Sequence, residues 1–355
     1  DSLKMVPAEH SRGDKKYWHI KNTLPLLRKS FAVKKSIAQA TLFICGLGHF
    51  ELHLNGKKVG DHFLDPGWTK YDKEALYVPF DVTHYLQQGN NAIGVLLGNG
   101  FYFIPRERYR KLTGAFGFPK LIARLHIRYQ DGSTAEVISD ESWKAAASPI
   151  TFSSIYGGED YNANLEQPGW DQPAFDDTPW QNAVITDGPP VLKAQQAEPL
   201  KVMQQLPAQK ITRVTHSSFV VDFGQNASGI PRITVRGNKG DTVRMVPAEL
   251  LNDDGTVNQR STGSPVYFEY VLKGGGVETW QPAFSYYGFR YIEVQGATHG
   301  DNAGKNGLPE ILELQALHTR NAAATVGSFT CSDTLFNRIF HLINWAIRSN
   351  MSSVL

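Results

Sequence analysis

The sequence predicts a mostly β chain, two tandem jelly-roll-like β-sandwiches followed by one helix, on three observations. Short runs of alternating polar and apolar residues, punctuated by Gly- and Asn-containing turns, recur along most of the chain. No segment with a helical apolar period separates them, which argues against a parallel α/β sheet. The one long stretch that has that period closes the chain, in CSDTLFNRIFHLINWAIRSNMSSVL, residues 331–355.

Taken in order, residues 1–16 are polar and aperiodic and read as a flexible lead-in. From 17 to 185 the signals are those of a first sandwich. FELHLNGKKVG places Phe50, Leu52 and Leu54 on one face and Glu51 and His53 on the other, then turns at Asn55-Gly56, the strongest short hairpin signal. AIGVLLGNG is the continuous apolar run expected of a strand covered on both faces, and LIARLHIRYQDGSTAEVIS predicts a second hairpin about Asp131-Gly132. TDGPPVLKAQQAEPLK, residues 186–201, is rich in Pro, Gln and Ala without periodicity and predicts a linker. Residues 202–320 then resume as a second sandwich, through IPRITVRG, DTVRMVPAEL, YFEYVLKGGG, RYIEVQG and ILELQALHT. From 321 onward comes the helix, with Leu335, Phe336, Ile339, Phe340, Ile343, Ala346 and Ile347 in one apolar stripe and Ser332 or Asp333 as cap.

Composition narrows the function classes. With 36 basic and 34 acidic residues, net +2 and well mixed, no long-range field calls for nucleic acid or an acidic membrane as partner. Arg106, Arg108, Arg110 and Lys111 form one basic cluster, but no Gly-rich phosphate cradle accompanies it, so it reads as a solvated loop. Cys45 and Cys331 are the only cysteines, which excludes a disulfide framework and a multi-Cys metal cluster. No apolar run approaches the roughly 20 residues that span a bilayer. The first residue is Asp1 and no hydrophobic signal core follows, which reads as a processed chain or an excised segment.

Nucleophile elbows, zinc-protease helices and phosphate or dinucleotide loops are absent from the sequence. LLNDDGTVN fails the spacing of a calcium loop when Gly255 is set as the turn glycine, and predicts a hairpin turn instead. Asp222 and Glu249 are the first carboxylates to suspect of acid or base work. Each sits near a Gly-containing turn, where an acid commonly accepts backbone N–H bonds. Trp68, Tyr71, Phe101, Tyr102, Trp170 and Trp180 could build an aromatic sugar platform or simply the core.

Two long blocks carry a family resemblance. GLGHFELHLNGKKVGDHFLDPGWTKYDKEALYVPFDVT with NAIGVLLGNGFY resembles the amino-terminal β-domain of bacterial α-L-rhamnosidases of glycoside hydrolase family 78. VVDFGQNASGIPRITVRGNKGDTVRMVPAELLNDDGTV with YVLKGGGVETWQPAFSYYGFRYIEVQG is similar to that family's second β-domain. The blocks stand in the family's order over most of residues 28–297, although Phe101 stands where the family commonly has Trp. The resemblance implies that the terminal helix opens an (α/α)6 barrel whose remainder lies outside these 355 residues. It implies hydrolysis of terminal α-L-rhamnose with inversion, by two carboxylates roughly 6.5–9.5 Å apart. Both belong to the barrel, so no catalytic residue is assigned here, and neither cofactor nor metal is expected. The resemblance also implies a periplasmic or extracellular location and a rhamnose-containing carbohydrate as partner, and it leaves a homodimer open. A second expectation is a binding module in which Asp65, Trp68, Asn99 and Tyr102 hold sugar in an open cleft; a third is a plain spacer.

Overall fold

Alternation along the strands determines the architecture of the first half. The computed structural model describes residues 24–105, 107–109, 114–260, 263–300 and 307–352. The lead-in expected at 1–16 lies outside them, as do Arg106, Arg110 and Lys111 of the basic cluster. The chain divides into two compact units, one built from the described residues through Ile155 together with Leu165–Gln196, the other from Tyr156–Asn164 and Ala197 onward.

In the first unit, strand Gly89–Gly98 lies between Pro25–Val33 and His49–Leu54 in a six-stranded sheet. A five-stranded sheet has Ile37–Leu47 paired between Lys120–Tyr129 and Ala75–Asp81. Leu42 and Ile44, Leu52 and Leu54, Ile93 and Val95, and Leu125 and Ile127 come from both sheets and share one core. Each such side chain, once fully buried, stabilises by about 1.5–3 kcal/mol relative to exposure. The hairpin turns fall where the sequence places them, with Asn55 at φ 51° and Gly56 at 82°. Those values suit the twist of the flanking strands, and Asn and Gly adopt them at least cost.

The segment read as a linker is partly sheet. Leu192–Ala194 pairs in parallel with Ala75–Asp81 and forms the edge of the five-stranded sheet. Three residues of strand pairing to a distant partner leave no periodic signature, which is why composition alone suggests a linker.

The second unit is organised by one strand of 19 residues, Ser218–Arg236. Its first half pairs with Lys210–Arg213 and Tyr287–Gln295, its second half with Val277–Trp280 and Glu310–Asn321. A register shift between Asp222 and Ala227 interrupts the ladder to Tyr287–Gln295, the kind of bulge that bends a strand. Phe219 and Val221 from the first half and Ile233 and Val235 from the second enter the same core, with Met245, Phe268, Ile292 and Leu314. Residues 156–164, assigned by the sequence reading to the first sandwich, belong to this unit. Gly158–Asn162 pairs in parallel with Phe268–Val271, and the buried Glu159 carboxylate accepts the backbone N–H groups of Ala283 and Phe284 at 2.8 and 2.9 Å. Leu250–Leu251 and Val257–Asn258 form the hairpin expected about Gly255.

The terminal helix spans Thr334–Asn350, and Asp333 is its cap, accepting Leu335 N–H at 2.8 Å. It rests on the second unit through Trp345, whose ring lies 5.3 Å from that of His318, and through Ser349, whose Oγ accepts Ser228 N–H at 3.3 Å. The apolar stripe faces away. Leu335, Phe336 and Ile343 of the stripe are 60, 56 and 51% exposed, and Leu342 beside them is 67% exposed.

Candidate functional site

The four residues expected to hold sugar do not line one open cleft. Asp65 is buried, with His62 Nδ1 at 2.5 Å from Oδ2 and Gln195 Nε2 at 3.4 Å from Oδ1. Its own carbonyl accepts Phe50 N–H at 2.8 Å, which ties the loop to the sheet. Asn99 is 2% exposed and donates from Nδ2 to Ser153 O at 2.7 Å. Tyr102 is fully buried, edge-on to Tyr71 at 5.2 Å and stacked on Phe116 at 5.8 Å. Burial pushes its hydroxyl up to about 12 and does the same to the neighbouring Cys45 thiol. Trp68 alone of the four reaches solvent, half-exposed and stacked on Phe101 at 4.9 Å. Apolar side chains at 71, 75 and 116 pack about Tyr102 in a small aromatic core.

The outer face of the six-stranded sheet carries a polar clamp that sequence reasoning missed. Arg28 is completely buried; its Nε donates to Trp170 O at 2.8 Å and its Nη2 to Gln172 O at 2.9 Å, while Nη1 pairs with Asp177. His53 sits between Asp171, 2.8 Å from Nδ1, and Glu51, 2.9 Å from Nε2, against the Trp170 ring at 5.4 Å. Burial alone would lower the imidazole, but the hydrogen bonds of Asp171 and Glu51 win and raise it to about 9. Glu51, which burial would push up, is instead held at about 2 by His53 and Lys58. These charges pin the loop 170–177 and engage one another, an arrangement that positions structure rather than transfers protons. Trp170 and Trp180 accordingly serve packing, Trp180 being 7% exposed with its indole N–H donated to Gln167 Oε1 at 2.9 Å. The only sequence signal for the clamp is Glu51 and His53 alternating off the core face; nothing near Arg28 announces partners 142–149 residues away.

The suspected carboxylates have structural roles. Asp222 accepts Arg290 Nε and Nη2 at 2.8 and 2.9 Å and Gly224 N–H at 2.7 Å. The Arg290 bonds hold its carboxyl below the usual range, so it stays ionised and cannot act as a general acid near neutrality. Glu249 accepts Asn226 Nδ2 at 2.9 Å. Among the described residues no group of three or more His, Cys, Asp or Glu side chains is placed to hold a metal ion.

Similarity to known proteins covers residues of both units. Residues 35–204 match the family described as alpha-L-rhamnosidase N-terminal domain, and residues 212–314 the bacterial alpha-L-rhamnosidase concanavalin-like domain. An alpha-L-rhamnosidase of Formosa agariphila is 35% identical over 341 residues, covering 92% of this chain and 35% of that protein. The Streptomyces avermitilis alpha-L-rhamnosidase, solved in complex with L-rhamnose, superposes with a TM-score of 0.86 at 34% identity, over 94% of this chain and 32% of that one. The alpha-L-rhamnosidase of Dictyoglomus thermophilum gives 0.84 at 38% identity, over 93% of this chain and 36% of that one. The chain thus spans about a third of the length of the relatives it matches. Both domain matches, in order and with these relatives, place the chain in the α-L-rhamnosidase family of glycoside hydrolase family 78, whose N-terminal and concanavalin-like β-domains it carries.

Proposed function

We propose that this chain is the non-catalytic β-domain portion of an α-L-rhamnosidase, a scaffold for a helical domain that removes terminal α-L-rhamnose from glycosides or polysaccharides with inversion of configuration. The observation that carries this reading is the match to α-L-rhamnosidases over 92% of this chain but only 35% of the relative. The engagement of Asp222 by Arg290 and of Glu249 by Asn226 supports it, since each suspected carboxylate has a structural partner. The solvent-facing stripe of the terminal helix supports it too, because such a face is of the kind that further helices cover. The test is a polypeptide continuing from this chain into the helical domain, given p-nitrophenyl α-L-rhamnopyranoside and followed by proton NMR. The reading expects β-L-rhamnose as the first-formed anomer. No turnover, or α-L-rhamnose formed first, overturns it.

A further inference from the structure

We propose that the outer face of the five-stranded sheet in the first unit is a binding cleft for an uncharged oligosaccharide. The inference rests on the rhamnosidase reading for the class of ligand, and on the following geometry for the site. On Ile37–Leu47 the even residues Leu42 and Ile44 point to the core, so Thr41 and Phe43 point outward. On Lys120–Tyr129 the odd residues are inward, and Ile122, Arg124 and His126 are outward. Val78 and Phe80 are inward on Ala75–Asp81, which turns Tyr77 out. Pairing brings these side chains together, because Phe43 is opposite Arg124, Thr41 opposite His126, and Ala194 on the edge strand opposite Tyr77. Thr41, Phe43, Tyr77, Ile122, Arg124 and His126 line a cleft of about 550 Å³ together with Leu192.

The lining has the chemistry of a sugar site. A pyranose offers one C–H face and a rim of hydroxyls, so its site needs an exposed aromatic surface beside groups that donate and accept hydrogen bonds. Phe43, 36% exposed, and Tyr77 stand edge to face with centroids 6.0 Å apart. The Thr41 hydroxyl lies two residues along the same strand as Phe43, and the Arg124 guanidinium and His126 imidazole come from the neighbouring strand, opposite Phe43 and Thr41. Charge selects among glycans. Arg124 is the one described lining residue with a fixed charge, and it is ion-paired with Glu136 on the next strand. The cleft therefore offers no net field to a polyanion, while its volume exceeds what a single sugar ring fills. Asp65, Trp68, Asn99 and Tyr102 are not among the lining residues, although Tyr77 also packs against the cluster that holds Tyr102.

The 355-residue chain is titrated by calorimetry with the hexaoses of β-1,4-glucan, β-1,4-xylan, β-1,4-mannan and an α-linked rhamnan, and with hexagalacturonate as the anionic control. The expected result is binding of at least one neutral hexaose and none of hexagalacturonate. Phe43→Ala and Tyr77→Ala should each weaken the affinity about ten-fold, the worth of one aromatic contact. Trp68→Ala should leave it within about two-fold, and a melting curve confirms that each variant is folded. Four outcomes overturn the proposal: no neutral hexaose bound, a preference for hexagalacturonate, loss of binding in Trp68→Ala with Phe43→Ala unaffected, or a chain that dimerises through Phe43 without binding glycan. Because the readout is binding alone, its failure leaves rhamnoside hydrolysis untouched, and failed hydrolysis leaves the cleft untouched.

Discussion

His53 shows how one side chain ties a distant loop to a sheet and gives the fold a pH signature. Its folded value near 9, against 6.5 for the free imidazole, means that the folded state binds the proton more tightly. Its contribution is full below pH 6.5 and is lost as pH rises through about 9. His49 acts in the opposite sense. Burial lowers it to about 4, so the unfolded chain takes the proton first and stability falls as pH drops from 6.5 toward 4. Denaturant unfolding across pH should therefore give a maximum for the first unit near neutrality. His53→Ala should lower stability by about 2–3 kcal/mol, the loss of hydrogen bonds between charged groups, and should abolish the decline between 6.5 and 9 while leaving intact the decline that His49 causes between 6.5 and 4. A variant that keeps the alkaline decline would show that the decline arises elsewhere. At this scale the sequence was only partly legible. Residue type marked Asp222 as a turn-associated acceptor, and its bond from Gly224 N–H agrees. Residue type also drew attention to Tyr102 and Asn99, but whether a polar tip faces water depends on which apolar side chains close over it, and those come from 71 and 116.

Among the elements, turns and alternating strands were readable because both are local. The Asn55-Gly56 and Asp131-Gly132 hairpins need only the preferences of their own residues, with Gly132 at φ 82°. Parallel strands pair with remote partners and leave little local trace, so Gly158–Asn162 and Leu192–Ala194 went unread. Gly158 shows what the first of these demands. It lies at φ 91°, and a Cβ there would stand 1.9 Å from Tyr267 O. Gly158→Ala should cost at least about 2 kcal/mol from the backbone conformation alone, measured by chemical denaturation; a cost under 0.5 kcal/mol would mean that the strand does not approach Tyr267 as described. The helix was legible in type, cap and stripe, and the exposure of that stripe was expected as well. Its packed side is Trp345 and Ser349, and the apolar stripe is exposed. Contiguous exposed apolar patches mark association surfaces. Light scattering of the 355-residue chain should accordingly show concentration-dependent self-association, relieved by Leu342→Lys with Ile343→Lys. Each exposed substitution should alter unfolding stability by less than about 0.5 kcal/mol. A clean monomer at high concentration would count against the stripe as an association surface.

For the molecule as a whole, two tandem β units and a terminal helix followed from periodicity, and family membership followed from two blocks read in order; the domain matches at 35–204 and 212–314 agree with both. The catalytic pair was not legible, and the physical reason is plain. A glycosidase is defined by two carboxylates at a set separation across a sugar, while the acids first suspected here are bonded to Arg290 and Asn226. The role proposed for this chain is accordingly that of a scaffold. The most direct measurement is the release of p-nitrophenol from p-nitrophenyl α-L-rhamnopyranoside by the purified 355-residue chain. The account predicts no release above the buffer rate at any pH between 4 and 8; turnover that persists through repeated purification and scales with the amount of this chain would contradict it.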